Sequence, residues 1–309
     1  MKATRDAYGE ALVELGGSNT RVVVLDADLS QSTKSAGFAE KYPERFFNMG
    51  VAEADMIGTA AGLATAGKIP FASTFAVFAT GRVYDQIRNS VAYPNLSVNI
   101  AGSHGGITVG EDGASHQALE DLALMRALPN MTVICPADGR EAYRATLASA
   151  RWEGPVYLRL GRPKVPEVTG EETPFEIGKG VELRPGEDLT IVSTGIMTGV
   201  ALETASILES KNVQARVLHM HTLKPLDEEL LVQAARETGL LFTLEEHSVI
   251  GGLGSAVAET VTFRYPVPVI RCGIPDCFGE SGSPDELLDR YGLTAEKVSQ
   301  GIEGRLKEA

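Results

Sequence analysis

Short apolar runs alternate with longer amphipathic stretches along nearly the whole chain, and that alternation predicts the fold before any chemistry is considered. Arg21-Val-Val-Val-Leu-Asp-Ala-Asp28 is a continuous apolar run closed by two aspartates, the pattern of a parallel strand buried on both faces. Ahead of it, Thr4 to Gly16 places Tyr8, Ala11, Leu12 and Leu15 at helical spacing. Ala54 to Gly67 is almost wholly small and apolar, so it predicts a buried helix whose slim faces admit close neighbours. Glu53 heads that helix. An acid in a first turn is favoured by the macrodipole by about 0.3–1 kcal/mol, which by itself is a sufficient reason for its position.

The rhythm continues with strands near Ile69 to Ser73, Leu96 to Ala101, Met131 to Cys135 and Val156 to Leu160. Helices are predicted between them near Gly81 to Val91, Gln117 to Ala127 and Gly139 to Ala150. Strands alternating with helices imply right-handed crossovers and a mainly parallel sheet covered on both sides. Arg162 to Asp188 breaks the pattern with Pro163, Pro166, Pro174 and Pro185 and reads as a linker. A second series then predicts strands at 189–194, 213–220, 240–245 and 267–273, separated by helices and followed by two short ones. The expectation is an α/β protein of two domains, each a mainly parallel sheet flanked by helices, with boundaries at 1–162, 163–187 (linker) and 188–309.

Composition narrows the function. A formal charge of −13 argues against nucleic acid or an anionic membrane as partner, since both need a positive face. It leaves room for a small phosphorylated substrate, which needs only two or three local donors. No run of 18 apolar residues occurs and the N-terminus lacks the apolar core of a signal peptide. Cys135, Cys272 and Cys277 form no CxxC pair, so cysteine-bound metal is not expected and a cytoplasmic location is.

The candidate chemistry is concentrated between Phe46 and His116. Gly102-Ser-His-Gly-Gly-Ile-Thr-Val-Gly-Glu-Asp-Gly-Ala-Ser-His-Gln117 is a polar, glycine-rich loop following a strand, where open α/β folds place ligands. It holds His104 and His116, two of the five histidines, with Glu111 and Asp112 between them. Phe75 and Phe78 have the spacing of ordinary core residues. Gly251-Gly-Leu-Gly-Ser-Ala256 suggests a dinucleotide turn, but tight packing of a helix start accounts for it better, because it is not the first βα turn of its domain. Glu245-Glu-His-Ser248 just upstream reads as a surface or interface cluster.

The order Gly50-Val-Ala-Glu53, Ser73-Thr-Phe-Ala-Val-Phe78, the histidine-framed loop, and Pro136-Ala-Asp-Gly139 resembles the pyrimidine-binding domain of transketolases, and the similarity extends through the C-terminal third. The resemblance implies that Glu53 hydrogen-bonds the pyrimidine of thiamine diphosphate, helping its amino group take the thiazolium proton. It implies that Phe75 and Phe78 pack on that ring and that Asp28 is an interfacial aspartate near the cofactor. Asp112 would accept from the donor sugar's C2 hydroxyl, His104 would help hold a substrate phosphate, and His116 would lie beside the thiazolium and the C1 hydroxyl. Arg5, Ser32 and Arg162 match the phosphate clamp. Family members carry a further aromatic near position 81, where this chain has Gly81.

The Gly-Asp-Gly segment and later asparagine that hold the diphosphate through Mg²⁺ or Ca²⁺ do not occur in this sequence. The resemblance therefore implies the C-terminal half of a split enzyme, inert alone. A separate N-terminal subunit would hold the metal in an α2β2 assembly, and this chain would self-associate within it. The reaction expected is transfer of a two-carbon ketol unit from a ketose phosphate to an aldose phosphate. Within the same chemistry the rivals are the β subunit of a 2-oxo acid dehydrogenase and a deoxyxylulose-phosphate-synthase-like enzyme; outside it, a non-catalytic scaffolding subunit.

Overall fold

The structure is a computed structural model and describes residues 1–308. In chain order its strands are β1 (Lys2–Ala3), β2 (Val22–Asp26), β3 (Phe46–Asn48), β4 (Ile69–Phe75), β5 (Asn99–Ser103), β6 (Thr132–Ile134) and β7 (Val156–Arg159). They continue as β8 (Lys164–Val165), β9 (Val181–Arg184), β10 (Leu189–Ser193), β11 (Ala215–His219), β12 (Thr222–Lys224), β13 (Leu241–Ser248) and β14 (Val269–Ile274). The first sheet has the order β12-β6-β7-β5-β4-β2-β3 and the second β14-β13-β10-β11-β9. Each is parallel apart from one antiparallel edge, β12 against β6 and β9 against β11. The fully buried β2, β4, β5, β6 and β7 need no polar face because helices cover both sides.

From β2 the chain first adds β3 on one side, then crosses back to add β4 on the other. That reversal makes the carboxyl ends of β2 and β4 a topological switch point, where open α/β sheets leave a crevice. Asp28 and Ser32 follow β2, Glu53 follows β3, Phe78 follows β4, His104 follows β5 and Arg162 follows β7. The carboxyl edge of one sheet thus gathers residues far apart in sequence.

Four expectations need correction. The stretch read as a linker is ordered: β9 joins the second sheet, β8 pairs with β1, and the N–H groups of Val168 and Thr169 donate to Asp138 Oδ2 at 2.8 and 2.7 Å. Asp138 also caps the helix Gly139–Ser149, which explains the Pro-Ala-Asp-Gly motif structurally. Strand β12, from the C-terminal part of the chain, completes the first sheet instead of the second. Where one helix was expected from Gly81, the chain makes wide π turns at Phe78–Arg82 and Ile87–Ala92 around a short α segment. There the Thr80 hydroxyl donates back to the Ala76 carbonyl and Arg82 is drawn to Glu53.

The fourth correction concerns the helix Glu53–Thr65. Met56, Ile57, Ala60 and Ala61 are buried, but Ala54, Asp55, Gly58 and Gly62 are exposed. A Cβ added at Gly58 or Gly62 would meet nothing within 4 Å. Only one stripe of this small-residue helix faces its own sheet, because helical periodicity turns the other stripe outward.

The largest apolar cluster runs across both sheets. Met125 and Leu122 pack with Leu218, Met220 and Leu253 in one core, so the two halves share their interior.

Candidate functional site

Glu53 starts its helix without a side-chain cap, and its carboxylate is 2 % exposed. Burying a charge requires a partner. Arg82 provides it, with Nη1 donating to both carboxylate oxygens at 3.1 and 3.0 Å. The Arg82 guanidinium lies 4.3 Å from the centre of the Phe78 ring and its side chain is half exposed. The buried acid is therefore met by a cation that solvent can reach. Sequence reasoning missed Arg82, because only the π turn at Phe78–Arg82 brings it back over the ring. Such turns are rare and concentrate at functional sites.

Beside this pair stands an aromatic wall. Phe75 and Phe78 are parallel within 8° at 6.0 Å between centroids. The His104 ring stacks on Phe75 at 3.8 Å, and His116 meets both phenylalanines edge-on. Phe75 ends β4 and His104 immediately follows β5, and these adjacent strands place the two rings in contact.

His104 adopts a left-handed backbone, φ +60°, which turns its ring into the site. Arg5 Nη1 donates to Nε2 at 3.0 Å, and an arginine can only donate. The imidazole proton therefore sits on Nδ1 and is donated to Ser103 Oγ at 2.7 Å. Burial, then the charges of Arg5 and Arg162, lower its pKa to about 3, so the ring stays neutral in ordinary buffers.

Arg5 also donates to the Ser32 carbonyl at 3.0 Å, and its pKa is lowered by burial and by the like charge of Arg162. Its Nε is buried without a hydrogen-bond partner. Two guanidiniums that repel each other, one with an unspent donor, suit an anion with several acceptor oxygens. Arg162 donates to the Val109 carbonyl and stands 3.7 Å from both Glu111 and Asp112.

Contacts thus join Arg5, the Ser32 backbone, His104, Phe75, Phe78 and His116 in one chain, and Arg162 with Asp112 in another beside it. Asp28 stands at the exposed end of β2, φ +65°, and accepts from Asn48 Nδ2 at 2.9 Å. No contact described above reaches it.

The glycine-rich turn after β13 holds no vacant anion site. Glu245 accepts from Leu253 N and Gly254 N at 2.6 and 2.8 Å, filling the start of the helix Leu253–Arg264. A Cβ at Gly252 would lie 2.0 Å from the Glu245 Oε2 atom, so close packing explains the glycine. Glu245, Glu246 and His247 are buried at the boundary between the two sheets.

The transketolase pyrimidine-binding domain family matches residues 1–167, and the transketolase C-terminal domain family matches residues 178–298. The chain belongs to the transketolase family. It is 50 % identical over 310 residues to a transketolase C-terminal section from Methanocaldococcus jannaschii, covering 99 % of this chain and 97 % of that one. It is 45 % identical over 294 residues to a 6-deoxy-6-sulfo-D-fructose transketolase subunit of a Clostridium species, covering 95 % and 91 %. A solved split gene transketolase, described as an inactive beta4 tetramer, superposes with a TM-score of 0.93 at 57 % identity over 99 % of both chains. The two-domain α/β transketolase fold is thereby shown over nearly the whole chain.

Proposed function

We propose that this chain is the catalytic C-terminal subunit of a thiamine-diphosphate-dependent transketolase, moving a two-carbon ketol unit between sugars in the cytoplasm together with a separate N-terminal subunit. The observation that carries the proposal is the buried Glu53 carboxylate beside the parallel Phe75 and Phe78 rings. A flat, basic heterocycle fits that pairing: an acceptor for a ring nitrogen and an apolar wall for its face. When bound, thiamine diphosphate supplies a nucleophilic thiazolium carbon for the donor's carbonyl.

The protein's part is binding and proton placement. Glu53 holds the pyrimidine once Arg82 swings away, and Phe75 and Phe78 fix the plane of that ring. His116, at the edge of the wall, orients the sugar's C1 hydroxyl, and Asp112 accepts from its C2 hydroxyl. Neutral His104 together with Arg5, Ser32 and Arg162 receives the anionic end of the sugar, and Asp28 contributes from the rim. Among the described residues no group of three His, Cys, Asp or Glu stands close enough to hold a metal ion. The diphosphate and its Mg²⁺ or Ca²⁺ are assigned to the N-terminal subunit, in an α2β2 assembly where this chain also pairs with itself.

Phosphate and sulfonate both present three oxygens to guanidinium groups, and the Clostridium relative is named for a sulfonated sugar. The two cations Arg5 and Arg162 therefore suit either end group. The decisive experiment combines the purified chain with its N-terminal subunit, thiamine diphosphate and Mg²⁺. Ketol transfer from xylulose 5-phosphate to ribose 5-phosphate is compared with transfer from 6-deoxy-6-sulfo-D-fructose and with pyruvate turnover. Ketol transfer that disappears in Glu53→Ala supports the reading; pyruvate turnover alone, or wild type and variant equally active, removes it.

A further inference from the structure

Beyond His104 the chain threads a narrow gap between residues of the two halves. Gly105 N donates to the Leu160 carbonyl at 3.0 Å and Gly106 N to the Ala118 carbonyl at 2.9 Å. A Cβ at Gly105 would come within 2.6 Å of Arg159 Nε, and one at Gly106 within 2.2 Å of the Glu246 carboxylate. The backbone then makes a tight turn at Ile107–Val109, whose first N–H groups have no partner inside the turn. One of them, Thr108 N, donates to Glu246 Oε1 at 2.7 Å, across a sequence separation of 138 residues.

Glu246 is itself fixed from behind. Arg159 Nη2 donates to the Glu246 carbonyl at 2.9 Å and to Ala118 at 3.2 Å, while its Nε pairs with Asp121 at 2.8 Å. Burial raises the Glu246 pKa, and the Arg159 charge and the Thr108 N–H oppose that rise. The residue after Thr108 is Val109, whose carbonyl accepts from Arg162, and Asp112 stands 3.7 Å from the same guanidinium. A shift at Thr108 therefore moves the loop that sets Arg162 and Asp112.

We infer that Glu246 is a positioning residue: through Thr108 it holds the loop of residues 102–117 in the shape that lets Arg162, Asp112 and His104 receive the sugar. The C-terminal domain thus acts on the site through its hold on the loop. This rests on the reading of that loop as the sugar-binding site, so the test has one arm that needs no turnover.

In the isolated chain, amide hydrogen exchange is measured across residues 104–113 for wild type, Glu246→Ala and Glu246→Gln. Leaving a buried donor unpaired beside a former carboxylate is expected to speed exchange there about ten- to a hundredfold in Glu246→Ala. Glu246→Gln, which keeps an acceptor oxygen, is expected to restore most of the protection. In the assembled enzyme the same alanine variant is expected to raise KM for xylulose 5-phosphate about tenfold or more, with a smaller change in kcat and unchanged thiamine diphosphate affinity. Gly106→Ala, which pushes a methyl into the carboxylate, should reproduce the KM effect and replaces Glu246→Ala if that chain does not fold.

Unchanged exchange in the alanine variant, or a glutamine variant as impaired as alanine, overturns the inference. So does faster exchange with an unchanged KM. If the wild-type assembly performs no ketol transfer, the proposed function fails, while the exchange arm still decides whether Glu246 orders the loop.

Discussion

The loop of residues 102–117 and the turn of residues 251–254 are both rich in glycine, and both expose backbone N–H groups. Each is braced by an acid of β13: Glu246 for the first and Glu245 for the second. Adjacent strand residues point to opposite faces, so one strand serves both. In the turn, Glu245 takes the N–H groups of Leu253 and Gly254, so a carboxylate of the chain itself occupies the place a ligand anion would take. The long loop is held at several points, among them Glu246 on Thr108 N, Arg162 on the Val109 carbonyl and Gln117 on the Glu280 carbonyl, yet around it stand Arg5 with a buried unpaired Nε, a half-exposed Arg162 and a stacked neutral His104. A glycine-rich segment marks a ligand site when its surroundings leave donors unspent. When a neighbouring carboxylate already occupies it, the same composition marks packing.

The comparison can be broken by substitution. The largest effect is expected at Glu53, which faces the first site: Glu53→Ala should cut kcat of the assembled enzyme by about 10²–10⁴, read in a ketol-transfer assay. Next comes Glu245→Ala, which strips two buried N–H groups of their acceptor. It should destabilise the chain by about 2–4 kcal/mol in urea unfolding while leaving KM for sugars within about twofold of wild type. A large KM effect with little loss of stability would erase the distinction between the two acids.

Arg162→Ala sharpens the account of the long loop. It should raise KM for a phosphorylated ketose about tenfold and for an unphosphorylated one far less; equal losses on both would remove Arg162 from the anion site. The smallest expected effect is on pH dependence. His104 has a folded pKa of about 3, below its ordinary value of 6.5, so the unfolded chain takes up a proton that the native one refuses. Its contribution to stability is present above pH 6.5 and is lost as pH falls from there towards 3. Between pH 7 and 5.5 the wild type should lose on the order of 1 kcal/mol more than His104→Gln. Equal losses in the two proteins would contradict the buried, neutral ring.

How much of the site was legible follows from how local each cause is. Glu53 at the head of a small-residue helix, the apolar β2 and β10 strands, and the histidine-framed loop are all visible as patterns over a few residues. Arg82 was not, since its contact with Glu53 depends on a π turn that helical periodicity does not foretell. Nor was the exposed stripe of Gly58 and Gly62: composition reports that a helix is slim, and only packing shows which side lacks a neighbour. The segment after Arg162 looked like a linker because prolines and glycines dominate it, yet Asp138 and β11 order it through contacts distant in sequence.

By itself the sequence determined the alternation of strands and helices, because apolar periodicity is local and each element must bury its own stripe. It also determined the inventory of acids, histidines and arginines near the carboxyl edge of the first sheet. Only the tertiary structure decided which of them meet, that β12 closes the sheet of the other half, and that Glu245 fills one glycine-rich turn while Glu246 steadies the other. Those outcomes turn on hydrogen bonds a few ångströms long between residues up to 138 positions apart, or on which face of a strand a side chain leaves, and no local pattern encodes either.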